Sequence, residues 1–119
     1  VSFNKIILVG NLGKDPELRY TPAGDAVASF SLATNHKTKN GEKESIWWKV
    51  TLWRRQAETA AKYLKKGMPV YIEGRLALEK WTDRDGKEQV TLDVQATEMQ
   101  FISAPDNRGD AWEAPEDRY

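Results

Sequence analysis

The chain has 119 residues, no cysteine, and a formal net charge of zero at pH 7. That length suits one domain whose core needs no covalent staples, and the lack of thiols excludes a disulfide framework and any thiolate metal site. The longest aliphatic run, Ile6 to Val9, is far too short to span a bilayer. Nothing near the N-terminus reads as a signal-peptide core, so a soluble, cytoplasmic protein with no membrane partner is expected.

The elements follow in chain order. Lys5 to Leu12, "KIILVGNL", is apolar and β-branched and reads as a strand ending at Gly13. Residues 14–25 carry Pro16, Pro22 and Gly24, which punctuate turns, with a short strand near Leu18–Thr21. "AVASFSLATN" (26–35) alternates and reads as a second main strand. Asn40-Gly41 then marks a hairpin. "IWWKVTLW" opens the next strand at Ile46. From Arg55 to Gly67 the period changes: Ala57, Ala60, Ala61 and Leu64 recur at helical spacing. Lys62, Lys65 and Lys66 suit the negative end of a helix dipole, and Gly67 suits the position just past its end. Alternation resumes over 68–81, with Gly74 placed as a bulge or sharp coil would need it. Asp85-Gly86 marks another hairpin, and 89–102 is the last strand.

Three strands, one helix, then two strands is the element order of the OB-fold, a five-stranded Greek-key barrel with its helix between strands 3 and 4. A generic five-stranded barrel or an α+β roll has the same order. The fold class expected is therefore all-β with one helix, an OB-fold domain over 1–103. Residues 104–119, rich in proline and acid and without periodicity, are expected to form a disordered tail. Charge divides the same way. Residues 1–102 hold 16 Lys and Arg against 13 Asp and Glu, and residues 103–119 hold 2 against 5, so a mildly basic body carries an acidic tail.

The stretch from Ile46 to Arg55, "IWWKVTLWRR", carries most of the functional information. As a strand it places Ile46, Trp48, Val50 and Leu52 on one face, a core pattern, and Trp47, Lys49, Thr51, Trp53 and Arg55 on the other. Tryptophans interleaved with cations suit single-stranded nucleic acid, which offers flat bases for stacking and phosphates for ion pairing. A buried two-sided strand would also explain the aromatics, but burying Lys49 and Arg55 unpaired would be costly. A protein–protein interface remains open, since Trp and Arg are enriched there too. Trp81, beside Lys80 and close to the Asp85-Gly86 turn, is a third stacking candidate. Lys37, Lys39 and Lys43 form a basic loop that either follows a phosphate backbone or is simply solvated.

These residues together resemble the bacterial single-stranded DNA-binding proteins of the replication type. The resemblance is carried by "NKIILVGNLGKDPELRYTPAGDAVASFSLAT" (4–34), "WWKVTLW" (47–53), "AAKYLKKGMPVYIEGRL" (60–76) and "KWTDRDGK" (80–87). It implies an OB-fold assembled as a homotetramer that coats single-stranded DNA without reading its sequence, in replication, recombination and repair. It implies stacking by Trp47, Trp53 and Trp81 and phosphate contacts by Lys5, Lys49, Arg55 and Lys66, with Arg19, Arg75 and Lys80 as further cations. It also implies a nucleoid-associated location and replication and repair proteins as partners. The chain departs from the family pattern in several places. A tryptophan common in the loop after "LAT" is missing, so one stacking contact is either lost or replaced by His36. Trp48 stands where a histidine often makes a subunit contact, so it is a candidate interface residue. Ala77 and Glu79 occupy positions that are often basic. The chain ends "APEDRY" rather than in an acidic tip closing with Ile-Pro-Phe.

No catalytic constellation emerges. His36 is the only histidine, so metal or imidazole chemistry lacks material. "GNLG" (10–13) has too few glycines for a dinucleotide loop. The reading is a non-enzyme without cofactor or metal. Its alternatives are an OB-type adaptor of the primosome kind working through protein contacts, and an OB-type RNA binder that would favour 2′-hydroxyls.

Overall fold

The computed structural model describes residues 1–102, and the tail expected at 104–119 lies outside them. The elements are β1 (Ile6–Leu12), β2 (Glu17–Tyr20), β3 (Ala26–Lys37), β4 (Lys43–Trp53), α1 (Arg54–Tyr63), β5 (Pro69–Thr82) and β6 (Glu88–Phe101). The strands run in the order β1-β5-β6-β4-β3-β2, and a further β1–β3 pairing closes five of them into a ring. This is the OB barrel expected, with the helix between its third and fourth barrel strands. β2 is the extra piece. Its residues pair with Ala26–Ser29 of β3, along the edge that β1 takes over at Leu32 and Ala33.

Closure needs one pairing of the opposite sense: β4 runs parallel to β6, with Lys49, Val50 and Thr51 opposite Asp93, Val94 and Gln95. Close approach at two glycines makes the ring tight. A Cβ at Gly10 would strike the Ala33 carbonyl on β3, and one at Gly74 would lie 2.9 Å from the Ala96 Cα, at the bulge between Glu73 and Gly74. Inside the ring even-numbered residues of β3, β4, β5 and β6 meet: Leu32, Val50, Leu52, Val70, Ile72 and Val94 are fully buried. Helix α1 seals one end with Ala57 and Ala60, small enough for the helix backbone to lie close to the strands. Tyr63 at its end meets Phe101 edge-on, ring centres 5.9 Å apart.

Of the boundaries that differ from the sequence reading, two bear on the candidate residues. β4 ends at Trp53, not beyond it, because Arg54 adopts a left-handed φ of 56° and turns the chain straight into α1. Arg55 is therefore a helix residue, not the last member of the strand face. The helix itself ends at Tyr63, and Leu64, counted into its apolar stripe, is an extended residue buried beside it. Gly67 caps no helix. It sits in the turn from Lys65 to Met68 at φ 88°, where its N–H donates to the Leu12 carbonyl (2.8 Å).

The three hairpins share one device. In the loops closed by Thr21–Asp25, Thr38–Glu42 and Asp83–Lys87, the last loop residue is a glycine (Gly24, Gly41, Gly86) at φ 80–90°, the geometry of a type I turn followed by a left-handed residue.

Candidate nucleic-acid interface

Registered pairs share a face, so the outer surface can be assembled row by row. Arg19, Val27 and Trp53 lie in one row across β2, β3 and β4. Ser29, Thr51, Gln95 and Arg75 form the next, across β3, β4, β6 and β5. Then come Ser31, Lys49, Asp93 and Ala77, and beyond them Ala33 and Trp47. One continuous outer face thus gathers Trp47, Trp53, Lys49, Arg19 and Arg75, residues drawn from three strands. Trp81 continues the Arg75 parity along β5 onto the hairpin arm.

The three outer indoles are 44–54% exposed, yet none is loose. The six-membered ring of Trp47 lies against Gly13, where an added Cβ would come within 2.8 Å of its ring atom Cη2. Trp53 donates its Nε1–H to Gln95 Oε1 at 3.0 Å, and Trp81 donates to Thr91 Oγ1 at 2.9 Å. Each ring is thus seated by contact or by its polar edge, with about half of the residue open to water. Trp48 points the other way. It packs against the barrel core and donates to Thr34 Oγ1 (2.9 Å), so much of it already serves its own chain.

The cations divide. Arg19, Arg75, Lys66, Lys37, Lys39 and Lys43 are exposed. Lys37 and Lys43 stand directly opposite each other, on the parity of Trp47. Like charges so placed repel, and a polyanion would relieve them. Lys66 sits in the turn whose glycine bonds Leu12, and its backbone N–H donates to Asp15 Oδ1 (2.8 Å). Lys49 is on the face but its Nζ lies 3.5 Å from Glu79 Oε2, so the acid at the position flagged in the sequence takes up part of its charge. Lys5 is engaged more firmly. Its Nζ is 2.6 Å from Glu73 Oε1, and the Tyr71 hydroxyl donates to the other oxygen of Glu73. The ammonium is held above its ordinary value, chiefly by that hydrogen bond, and the Glu73 carboxyl is held below its own by Lys5 and Tyr71.

Three candidates fall off the face. Lys80 has the parity of Leu78 and pairs with Val90, opposite to Trp81. His36 pairs with Glu44, its Nε2 3.4 Å from Glu44 Oε2, on the parity of Ile46 and Trp48 and so opposite to that of Trp47. Arg55 is carried away by the turn into α1. The residues missed from sequence are the seats: Gly13, Thr91, Gln95 and Asp93. Their distance along the chain, as much as 42 residues from the indole they support, left no local signal.

The fold and face define a class first: an OB barrel presenting seated indoles among cations, a surface that suits unpaired bases and a phosphate chain. Residues 3–102 match the model of the single-strand binding protein family. Two curated relatives named "Single-stranded DNA-binding protein", from Neisseria meningitidis serogroup A / serotype 4A and serogroup B, are each 44% identical over 106 residues, covering 86% of this chain. The chain spans 61% of the length of these relatives. It belongs to the single-strand binding protein family.

Proposed function

We propose that the protein binds single-stranded DNA without sequence preference and coats exposed strands in replication, recombination and repair. The observation that carries this reading is the seating of Trp47, Trp53 and Trp81: each is held by a contact or a hydrogen bond and is about half exposed. Such platforms accept any base, because every base has a π-face. Arg19, Arg75, Lys37, Lys43 and Lys66 meet the phosphates, Lys49 with reduced effect beside Glu79, and Lys39 from the loop tip. The work is binding, not catalysis.

Binding of labelled oligo-dT, oligo-U and a duplex at two salt concentrations tests this. Tight oligo-dT binding that weakens with salt is expected, with a log–log slope of about −0.7 per phosphate contact. Equal binding of the duplex would contradict it, and a preference for oligo-U would favour an RNA ligand.

The protein works as a homotetramer in this reading. In support, one edge of β1 is paired with β5 over Ile6–Asn11, whereas its other edge meets β3 only at Asn11 and Leu12, and Ile7 on the outer surface is 55% exposed. An open edge with an apolar neighbour is a site for pairing with another copy. Sedimentation showing a monomer at micromolar concentration would overturn the assembly.

A further inference from the structure

One chain of side-chain hydrogen bonds crosses the outer face along the parallel seam between β4 and β6. The Thr51 hydroxyl, nearly buried, donates to Asp93 Oδ1 (3.3 Å). Asp93 Oδ2 accepts from the Gln95 amide nitrogen (2.9 Å), and Gln95 Oε1 accepts from the Trp53 indole (3.0 Å). The order of atoms is forced. An ionised carboxylate only accepts and an indole N–H only donates. The amide between them satisfies both in one orientation alone, with its NH₂ toward Asp93 and its oxygen toward Trp53. Reversed, it would set an NH₂ against an N–H and a carbonyl against a carboxylate.

The position of the relay gives it a consequence. The β4–β6 register ends at Thr51 and Gln95, and Trp53 lies past the last registered pair, at the residue before the chain turns into α1. The backbone on that side no longer ties Trp53 to β6; the Gln95 amide does. Trp81 is held differently, by a hydroxyl that can rotate to suit, and Trp47 by contact with Gly13. Only for Trp53, among the three outer indoles, is the acceptor itself fixed by a carboxylate.

We propose that Gln95, oriented by Asp93, is a positioning residue for Trp53: it fixes the tilt of the indole so that the ring is preorganised for stacking, and Asp93 is kept on a DNA-facing surface for this purpose despite its charge. The inference rests on the single-strand binding reading. A ring that is not held must be ordered when a base arrives, and that ordering weakens binding.

A double-mutant cycle tests it. Phenylalanine stacks but has no N–H, so Trp53→Phe removes the link to Gln95 while keeping a platform. Oligo-dT affinity is measured for the protein as it stands, Gln95→Leu, Trp53→Phe and the double variant, with Trp53→Ala as reference. Gln95→Leu is expected to weaken binding about three- to tenfold when Trp53 is present, the scale of one lost hydrogen bond, and to have no effect in the Trp53→Phe background. In the same variant the Trp53 indole N–H should exchange faster with solvent by NMR. The same loss in both backgrounds would overturn the proposal, because Gln95 would then act on the DNA or the barrel directly. No loss in either would overturn it too. Gln95→Met, similar in length but without the amide, repeats the cycle should Gln95→Leu fold poorly. If Trp53→Ala itself costs nothing, it is the stacking reading that fails; if Trp53→Ala weakens binding and the cycle shows no coupling, only the positioning fails.

Discussion

The closed barrel and the two hairpin arms are made from the same strands, yet they place their side chains in different surroundings. Within the barrel, β4 buries Val50 and Leu52 and β5 buries Val70 and Ile72 completely. Further along β4 and β5, and on β6 beside them, Ile46, Leu78 and Val90 have the same inward parity but are 38%, 58% and 53% exposed. Alternation decides which way a side chain points; only an element lying across it decides whether it is buried. Stability should therefore reside in the ring, and ligand handling on its outer face and along the arms.

The largest effect expected follows from that division. Leu52→Ala or Ile72→Ala should destabilise the fold by about 2–5 kcal/mol in urea denaturation, because each leaves a cavity in a closed core. Leu78→Ala, apolar and inward by pattern but exposed, should cost well under about 1 kcal/mol. Equal costs would mean that the arm is covered in the assembled protein.

Next come the indoles. Trp47→Ala or Trp53→Ala should each weaken oligo-dT binding by about 1–3 kcal/mol while the unfolding midpoint stays in place. A fall in stability with unchanged affinity would move these residues from the ligand to the core side of the comparison. Gly13→Ala should act more weakly in the same direction. Its new Cβ would strike the Trp47 ring and displace it, so binding should drop severalfold, less than for Trp47→Ala. The smallest effect belongs to the opposed lysines of the β3–β4 arm. Replacing Lys37 and Lys43 with Gln should flatten the log–log salt slope by up to about 1.4, at about 0.7 per contact, and slightly stabilise the hairpin by removing a like-charge pair.

The tip of the β5–β6 arm responds to acid. The Asp83 carboxylate accepts from the Lys87 N–H, the Gln89 amide and the Asp85 N–H, which holds it below its ordinary range. A carboxyl held lower in the folded state than in the unfolded contributes stability above the unfolded value and loses it as pH falls. The turn beneath Trp81 should therefore be unaffected at neutral pH and loosen only below about pH 3.9, which a pH series of hydrogen exchange at Gly86 and Lys87 would show.

What the sequence made legible was local. Asn40-Gly41 and Asp85-Gly86 close hairpins, since a left-handed turn position calls for glycine nearby in the chain. The period-2 split of β4 put Trp47, Lys49 and Trp53 on one face because alternation is a property of a single strand. The end of that strand was not legible, because Arg54 leaves β geometry where no glycine announces it, and Arg55 went with it. Neither was anything that depends on pairing across the barrel. Glu79 stood out as an acid at an often basic position, but its ion pair with Lys49 needs β4 and β5 brought to the two sides of β6. Lys80 reads as Trp81's neighbour, yet strand parity sends it to the opposite face. The Gln95 seat of Trp53 exists only because a parallel seam closes the ring.

The central claim is that the outer indoles stack on unpaired bases. It is tested most directly by titrating intrinsic tryptophan fluorescence with oligo-dT and with a duplex, in the protein and in a Trp47→Phe, Trp53→Phe double variant. The account predicts strong quenching by oligo-dT, little by the duplex, and a clear reduction of the oligo-dT signal in the double variant. Binding of oligo-dT without quenching, or quenching unchanged in the double variant, would contradict it.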